Sequence, residues 1–448
     1  MTSATEPSAA PGGLSTLAAA LAFSALSVIL TWPLILGLGR DVPGDLGDSL
    51  LNMWILGWGT KHVPLLLTLQ ISWADFWNAN IFHPDPLALA LSEHLFGQTL
   101  QILPVYWLTG NIILCYNLLF ISTFALSAFG TYLLVRDLTG DRRAGFIAGL
   151  VYGFLPYRIA SVPHVQVMSS QWMPFALYGI NRFITADRSL PPRRAFGLTR
   201  AEWGLAIGTA ALVMQNWSCG YYLLYFAPFL PLFAMHRMWT SGRLKDVRTW
   251  ASLAGAAIVT LALTIPFLLP YAAAQKTFGI ERPFGEVVLF SANVWSYITA
   301  SENLKLFGKV LRFYPHGEGE TFLGFTPWLL ASVAVATLVR TVFRKAPSVP
   351  SVPLWRTYVS ALLLLIVVLQ LIGTLSVVLF GGFDFRVLGL LISARTPQRL
   401  LMQLVISLAL LLGVSERART DGARLVRSPV FFALAATILA VLVDDFSG

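Results

Sequence analysis

Long apolar runs follow one another from residue 14 to residue 443, and short polar segments separate them. Each run has about the length that an α-helix needs to cross a bilayer, roughly 20 residues for a hydrocarbon core ~30 Å thick. The pattern predicts a single transmembrane domain over residues 14–443, built from about eleven spanning helices. The predicted helices lie near residues 14–38, 111–135, 144–160, 165–184, 201–218, 220–236, 250–272, 322–340, 357–379, 399–414 and 429–443. Residues 1–13 are predicted to form a disordered N-terminal tail, and residues 444–448 a short C-terminal tail.

The composition agrees with a location in lipid. Hydrophobic residues make up 56% of the 448 residues, charged residues make up 12%, and the mean hydropathy is +0.69. A soluble protein needs roughly 25% charged residues to cover its surface. The chain is therefore predicted to be an all-α polytopic membrane protein.

Basic residues set the predicted orientation. Arginine and lysine fall in short clusters between the apolar runs, and such clusters mark cytoplasmic loops. With these clusters inside, the N-terminus is predicted to be cytoplasmic and the C-terminus to lie outside. The net charge of +9 follows from the same clusters, which form no binding stripe, so no nucleic-acid partner is predicted.

Three predicted outer segments, residues 39–110, 273–321 and 380–398, are too long or too polar to be simple turns. The first contains two amphipathic stretches, residues 49–70 and 94–109, which are predicted to lie as helices in the outer interface. The second stretch mixes glutamine, histidine, tyrosine and tryptophan, a composition suited to that depth. Acidic residues concentrate in these outer segments, so any chemistry is expected at the outer face.

The first outer segment opens with three carboxylates, Asp41, Asp45 and Asp48, within eight positions. Crowded like charges raise carboxyl pKa values unless a cation, a metal or a hydroxyl substrate stabilises the ionised form. This loop is the leading candidate for a catalytic site, with Asp48 and Asp45 as the candidate residues. The alternative is a solvated loop in which Asp48 caps a helix that begins at Ser49.

A second acidic point, Glu318 and Glu320, directly precedes a predicted spanning helix. Glycines on both sides of Glu318 suggest a backbone shaped for close approach to a ligand. The alternative is a solvated loop that leads into the helix. No two of the six histidines have the i, i+4 spacing of a zinc-binding helix. A divalent metal is left open, and no other cofactor is predicted.

Arginines at the outer face are candidates for binding a phosphate. Arg395 and Arg399 lie at the predicted outer end of a helix, against the usual inner location of arginine. The fixed fork of a guanidinium can hold two phosphate oxygens. Arg158, which is close to His164 in the chain, is a further outward arginine, and both residues are candidate substrate contacts. The alternative is that the arginines reach lipid headgroups.

Three stretches carry a resemblance to a known superfamily: GDLGDSLLNMWILGW, NANIFHPDPLALALSE and YLLVRDLTGDRRAG. In this order after a first helix they resemble the GT-C superfamily of integral membrane glycosyltransferases, which use polyprenyl-phosphate-linked sugars. GEGETFLGFTP and RTPQR are similar to segments of its uncharacterised bacterial members. The resemblance implies an enzyme of the bacterial cytoplasmic membrane whose catalytic base is an acidic residue of the first outer loop. Asp48 matches that position best because it opens the first interfacial helix, and Asp45 is second. The Asp-Glu pair of some members is Asp48-Ser49 here.

The resulting hypothesis is transfer of a sugar from a polyprenyl-phosphate donor to an acceptor hydroxyl at the outer face of the membrane. Asp48 would act as general base, and Arg395 and Arg399 would stabilise the leaving phosphate. Glu318 or Glu320 would orient the donor sugar. The acceptor would be a glycan, a lipid or a protein, and membrane lipids would surround the chain. Two alternatives remain open: a flippase or transporter of lipid-linked sugars, and a non-catalytic membrane scaffold.

Overall fold

The computed structural model describes residues 15–44, 46–187, 195–281, 283–316, 318–344, 354–380, 383–387, 390–394 and 397–426. In these ranges the regular secondary structure is helical, apart from one hairpin of antiparallel strands, β1 (Phe383–Val387) and β2 (Leu390–Ala394), and an isolated bridge between Ala195 and Leu198. The predicted helical class is confirmed. The predicted helix at 429–443 and both predicted tails lie outside the described residues.

The helices of the described chain are α1 (Thr16–Leu30), α2 (Asp48–Leu67), α3 (Trp73–Trp77), α4 (Phe96–Thr109), α5 (Ile112–Thr139), α6 (Arg142–Gly153), α7 (Tyr157–Ala160), α8 (Val165–Met168), α9 (Trp172–Thr185), α10 (Arg200–Ser218), α11 (Gly220–Phe226), α12 (Phe229–Thr240), α13 (Val247–Phe278), α14 (Phe284–Phe290), α15 (Phe325–Arg344), α16 (Leu354–Phe380), α17 (Pro397–Val414) and α18 (Glu416–Val426). Short 3₁₀ turns at Leu34–Gly37, Ala88–Leu91 and Val294–Ile298 lie between them.

Two helices in the described chain, α5 and α13, are long and apolar enough to cross a membrane. In α5, 56% of the most apolar stretch is buried inside the protein, whereas in α13 only 17% is buried. α5 is therefore a core helix, and α13 presents most of its apolar surface to the surroundings. Shorter apolar helices lie at Thr16–Leu30, Phe325–Thr337, Tyr358–Thr374 and Leu400–Val414.

α5 lies at the centre of the packing and contacts α1, α2, α4, α6 and α9. Its buried face includes Tyr116, Phe124 and Tyr132. α6 approaches it through small residues: a Cβ atom added at Gly149 would lie 2.6 Å from the Ala128 carbonyl oxygen. Helix backbones can come this close only where one side carries no side chain.

The two amphipathic stretches predicted in the first outer segment form α2 and α4. These helices pack against each other, and both pack against α5. One cluster of buried side chains, which includes Leu56, Leu103 and Leu119, joins the three helices. The N-terminus of α2 is thereby fixed against α5. This contact positions the loop that carries Asp41, Asp45 and Asp48, called the acidic loop below.

The structure interrupts four helices that the hydrophobic pattern predicts as continuous, at 14–38, 144–160, 165–184 and 220–236. α6 ends at Gly153, short of the predicted boundary at residue 160, and α7 is a separate short helix. The predicted helix at 165–184 is divided into α8 and α9. Pro156 lies at the break between α6 and α7, where its missing N–H and its effect on the preceding residue oppose a continuous helix. Residues 154–171 therefore form an irregular segment beside the acidic loop.

Candidate functional site

Asp48 and His164, which are far apart in the chain, are in direct contact. The Asp48 Oδ2 atom lies 2.9 Å from His164 Nε2, and 51% of the Asp48 side chain and 31% of the His164 side chain are exposed. Nε2–H donates to the carboxylate at this distance, and the second carboxylate oxygen, Oδ1, can accept a further hydrogen bond. The acidic loop and the 154–171 segment thus meet at an accessible carboxylate–imidazole pair.

Asp48 does not serve as the cap of a helix that begins at Ser49. α2 begins at Asp48 itself, and Gly47 occupies the N-cap position. A carboxylate in the first turn is stabilised by the positive end of the helix dipole. This placement leaves the Asp48 carboxylate directed to His164 rather than to the backbone of α2.

A buried asparagine of α5 holds the start of the acidic loop. Asn117 is fully buried, and its Nδ2 donates to the carbonyl oxygens of Leu38 at 2.8 Å and of Asp41 at 2.7 Å. A buried amide that satisfies two loop carbonyls removes the cost of leaving them unpaired. The loop backbone is therefore tied to the central helix of the fold.

Two residues of α2 make further hydrogen bonds, one to the acidic loop and one to the 154–171 segment. Ser49 Oγ donates to the Pro43 carbonyl at 3.0 Å, and Asn52 Nδ2 donates to the Pro163 carbonyl at 3.1 Å. The second bond joins α2 directly to the residue before His164, so it sets the distance between the two members of the pair. The sequence analysis did not identify Asn52 and Asn117. The feature that could have identified them is an asparagine within an otherwise apolar run.

Arg158, predicted to point outward, is buried in the structure. Only 4% of its surface is exposed. Its guanidinium donates to Ser170 Oγ at 3.0 Å and to the Met168 carbonyl at 2.9 Å, and it lies 4.9 Å above the Phe124 ring. A buried charge needs such partners to offset its desolvation. Arg158 therefore holds the 154–171 segment together.

The two glutamates of the second acidic point have different surroundings. Glu320 forms an ion pair with Arg312, which also donates to the Ala300 carbonyl at 2.8 Å. Glu318 is exposed and has a positive φ of 61°. Glu318 is therefore accessible to solvent, whereas the charge of Glu320 is already paired.

Glu93, in the first outer segment, is an ionisable residue that sequence reasoning did not single out. Burial raises the pKa of its carboxyl to about 7, although the Gly220 N–H, 3.2 Å from Oε1, opposes this shift. Its neighbour His94 is buried, which lowers the pKa of the imidazole to about 3 and keeps it neutral. A carboxyl group with a pKa near neutrality can exchange a proton under physiological conditions. The sequence offers no spacing or motif that marks Glu93.

Several predicted residues lie outside the described part of the chain. These are Asp45 and Arg395, together with the side chain of Arg399. Among the described residues, no three His, Cys, Asp or Glu side chains are grouped so that they could hold a metal ion. The phosphate site at Arg395 and Arg399 therefore remains a prediction from the sequence, and the need for a divalent metal remains open.

Comparison with protein-family models, with curated proteins and with solved structures finds no match to this chain.

Proposed function

We propose that this chain is a membrane glycosyltransferase that moves a sugar from a polyprenyl-phosphate donor to an acceptor hydroxyl, with Asp48 as general base. The observation that carries the proposal is the exposed Asp48–His164 contact at the first turn of α2. General-base catalysis needs an accessible group within hydrogen-bond reach of the proton to be removed. The acidic loop meets this requirement, and its backbone is held by Ser49 and Asn117.

A membrane setting is part of the proposal. α13 exposes large apolar side chains such as Ile258, Leu261 and Leu269 along its length, and α16 exposes Leu365 and Leu369. Water covers contiguous apolar surface of this kind at high cost, whereas lipid covers it well. The finer proposal is a multi-pass protein of the bacterial cytoplasmic membrane, with about eleven spans, a cytoplasmic N-terminus and an outer C-terminus.

In the proposed step, the acceptor oxygen attacks the anomeric carbon of the donor sugar while its proton passes to Asp48. The bond between the anomeric carbon and the phosphate oxygen breaks, and the lipid phosphate leaves with the bonding electrons. The N–H of His164 holds one carboxylate oxygen so that the other faces the acceptor. The leaving phosphate needs positive charge more than a proton, and Arg395 and Arg399 are proposed to supply it.

The test is Asp48→Asn in the purified protein, with transfer of a labelled sugar from a polyprenyl-phosphate donor as the readout. Loss of a general base typically costs about 10²–10⁴ in rate, and we expect a fall in kcat of that size. Asp41→Asn is the matched control, because Asp41 is an exposed carboxylate of the same loop that pairs with Arg40. Full transfer by the Asp48 variant would rule out the base assignment.

A transporter of lipid-linked sugars is the second candidate, and one feature of the bundle favours it. Gln98, Gln171 and Gln215 are fully buried between α4, α9 and α10, and each has a carbonyl oxygen without a partner in the described chain. Buried polar groups inside a membrane bundle commonly mark a transport path. Movement of a labelled lipid-linked sugar across vesicles that hold the purified protein, with no transfer to any acceptor, would favour this candidate over the transferase.

A further inference from the structure

An open cleft of about 470 Å³ follows one face of α2, and neither Asp48 nor His164 lines it. Its α2 residues recur every three to four positions, from Leu50 through Trp54 and Trp58 to Lys61. This spacing places them on a single face of the helix. Ile112, at the start of α5, also lines the cleft. The cleft is therefore a continuous groove between α2 and the beginning of α5.

The middle of the groove is a rigid aromatic surface. The ring centroids of Trp54 and Trp58 are 6.1 Å apart, and the His62 ring stacks on Trp58 with centroids 3.5 Å apart. Trp58 Nε1 donates to the Phe76 carbonyl at 2.9 Å, and His62 Nδ1 lies 2.9 Å from the Trp58 carbonyl. Because the Trp58 carbonyl accepts, Nδ1 carries the hydrogen, and Nε2 of His62 can donate to an anionic ligand only when the ring is an imidazolium.

The polarity of the groove changes from one end to the other. Leu50 and Met53 make one end apolar, whereas Lys61 and His62 make the other end basic. No residue among those that line the groove is acidic. Within the described chain no ion pair involves Lys61. An apolar end, an aromatic centre and a basic end complement a molecule that has a hydrocarbon chain and an anionic head.

We infer that this groove binds an anionic phospholipid, with the headgroup phosphate at Lys61 and His62 and an acyl chain along Leu50 and Met53. Tryptophan and lysine of this kind are common where proteins meet lipid headgroups. Lys61 lies 13 residues beyond Asp48 on α2, which is about 20 Å along the helix axis. A phosphate there is too far from Asp48 to be the leaving group of the proposed transfer, so this is a separate lipid site.

The experiment measures lipid binding by native mass spectrometry on the delipidated full-length protein. Phosphatidylglycerol and phosphatidylcholine with identical acyl chains are added in parallel, and a third sample receives inorganic phosphate with phosphatidylglycerol. The variants are Lys61→Gln and Gly57→Leu, because a Cβ at Gly57 has its nearest neighbour at an ordinary 3.9 Å and the larger side chain fills the groove. Lys276→Gln, an exposed lysine at the end of α13, is the matched control.

The wild-type protein and Lys276→Gln should bind phosphatidylglycerol more tightly than phosphatidylcholine. Lys61→Gln should lower phosphatidylglycerol affinity about fivefold, the factor for one lysine near anionic lipid, and leave phosphatidylcholine affinity unchanged. Gly57→Leu should lower the affinity for both lipids. Equal affinity for the two lipids, an equal loss in both lysine variants, or displacement of the lipid by equimolar inorganic phosphate would overturn the inference. None of these readouts depends on sugar transfer, so failure here is distinct from failure of the proposed function.

Discussion

The Asp48–His164 contact leaves two residues that could take the acceptor's proton. If Asp48 is the base, His164 only holds the carboxylate, and a neutral donor should replace it. We expect His164→Gln to keep transfer within about threefold, because its amide N–H can donate to Oδ2. We expect His164→Ala to lose about tenfold, the cost of one hydrogen bond to a charged group.

The measurement for these variants is kcat in the labelled-sugar assay, with Asp48→Asn measured alongside. Equal inactivity of the glutamine and alanine variants, together with an Asp48→Asn variant that keeps more activity than either, would make His164 the base and Asp48 its orienting partner.

Glu93 predicts a pH dependence of stability. Its pKa is raised from an ordinary value of 4.5 to about 7 in the folded protein, so the folded state holds this proton more tightly than the unfolded state does. The contribution of Glu93 to the free energy of unfolding is fully present below pH 4.5 and is lost as the pH rises to about 7. Glu93→Gln should therefore unfold at a higher temperature than wild type at pH 8, and the difference should shrink towards pH 4.5.

Thermal unfolding of the purified protein across this pH range is the measurement. The control is Glu302→Gln, an exposed carboxylate in the predicted outer segment 273–321, which should follow the wild-type curve. A gap between Glu93→Gln and wild type that is constant at every pH would show that the ionisation of Glu93 plays no part.

The sequence predicts the members of the candidate site better than their contacts. Asp48 and His164 stand out by residue type and by their predicted outer location, but their contact depends on the irregular 154–171 segment. Arg158 shows the opposite case, because an arginine near an outer helix end gives no sign that it turns inward to Ser170. Asn52 matters through its bond to a backbone carbonyl, and side-chain identity alone carries no such information.

At the scale of helices, a polar junction joins α5, α9 and α12. Asn181 Nδ2 donates to Asp137 Oδ2 at 2.6 Å, Arg182 lies 3.2 Å from Asp137 Oδ1, and Arg237 Nε donates to Asn181 Oδ1 at 2.6 Å. The sequence marks the arginines only as signs of a cytoplasmic loop. The structure gives them a second role, because the Asp137 carboxylate holds helices together.

Asp137→Asn should therefore destabilise the protein. The change removes the negative charge that faces Arg182 and leaves that partly buried guanidinium without its ion pair. We expect a loss of about 1.5–3 kcal/mol, the range for hydrogen bonds to charged groups, measured as a lower unfolding temperature in detergent. Arg142→Gln, an exposed residue at the start of α6, should leave the unfolding temperature unchanged. Matching temperatures for the two variants would contradict the role of the junction.

Hydrophobic pattern predicts helix type well here and helix continuity poorly. α6 and α12 have 12 residues each, about 18 Å of helix, which is short of a ~30 Å hydrocarbon core. Residues 154–171 mix apolar and polar positions, so hydropathy alone does not locate the break at Pro156. The buried amides and Arg158 supply hydrogen-bond partners for this irregular backbone. The predicted number of membrane spans depends most on whether each apolar run forms one continuous helix.

For the molecule as a whole, the exposed apolar surface of α13 and the clusters of arginine predict which loops face outward. The chain suits a cysteine-labelling test, because both native cysteines, Cys115 and Cys219, are buried. Gln70→Cys, on the predicted outer segment, should react with a membrane-impermeant maleimide in intact cells. Lys245→Cys, in a predicted inner loop, should react only after the membrane is opened. Both positions are exposed in the structure, so a difference in labelling reports the side of the membrane and not burial. Labelling of both positions in intact cells would remove the membrane orientation on which an outer-face Asp48 depends, and the reverse pattern would place Asp48 in the cytoplasm.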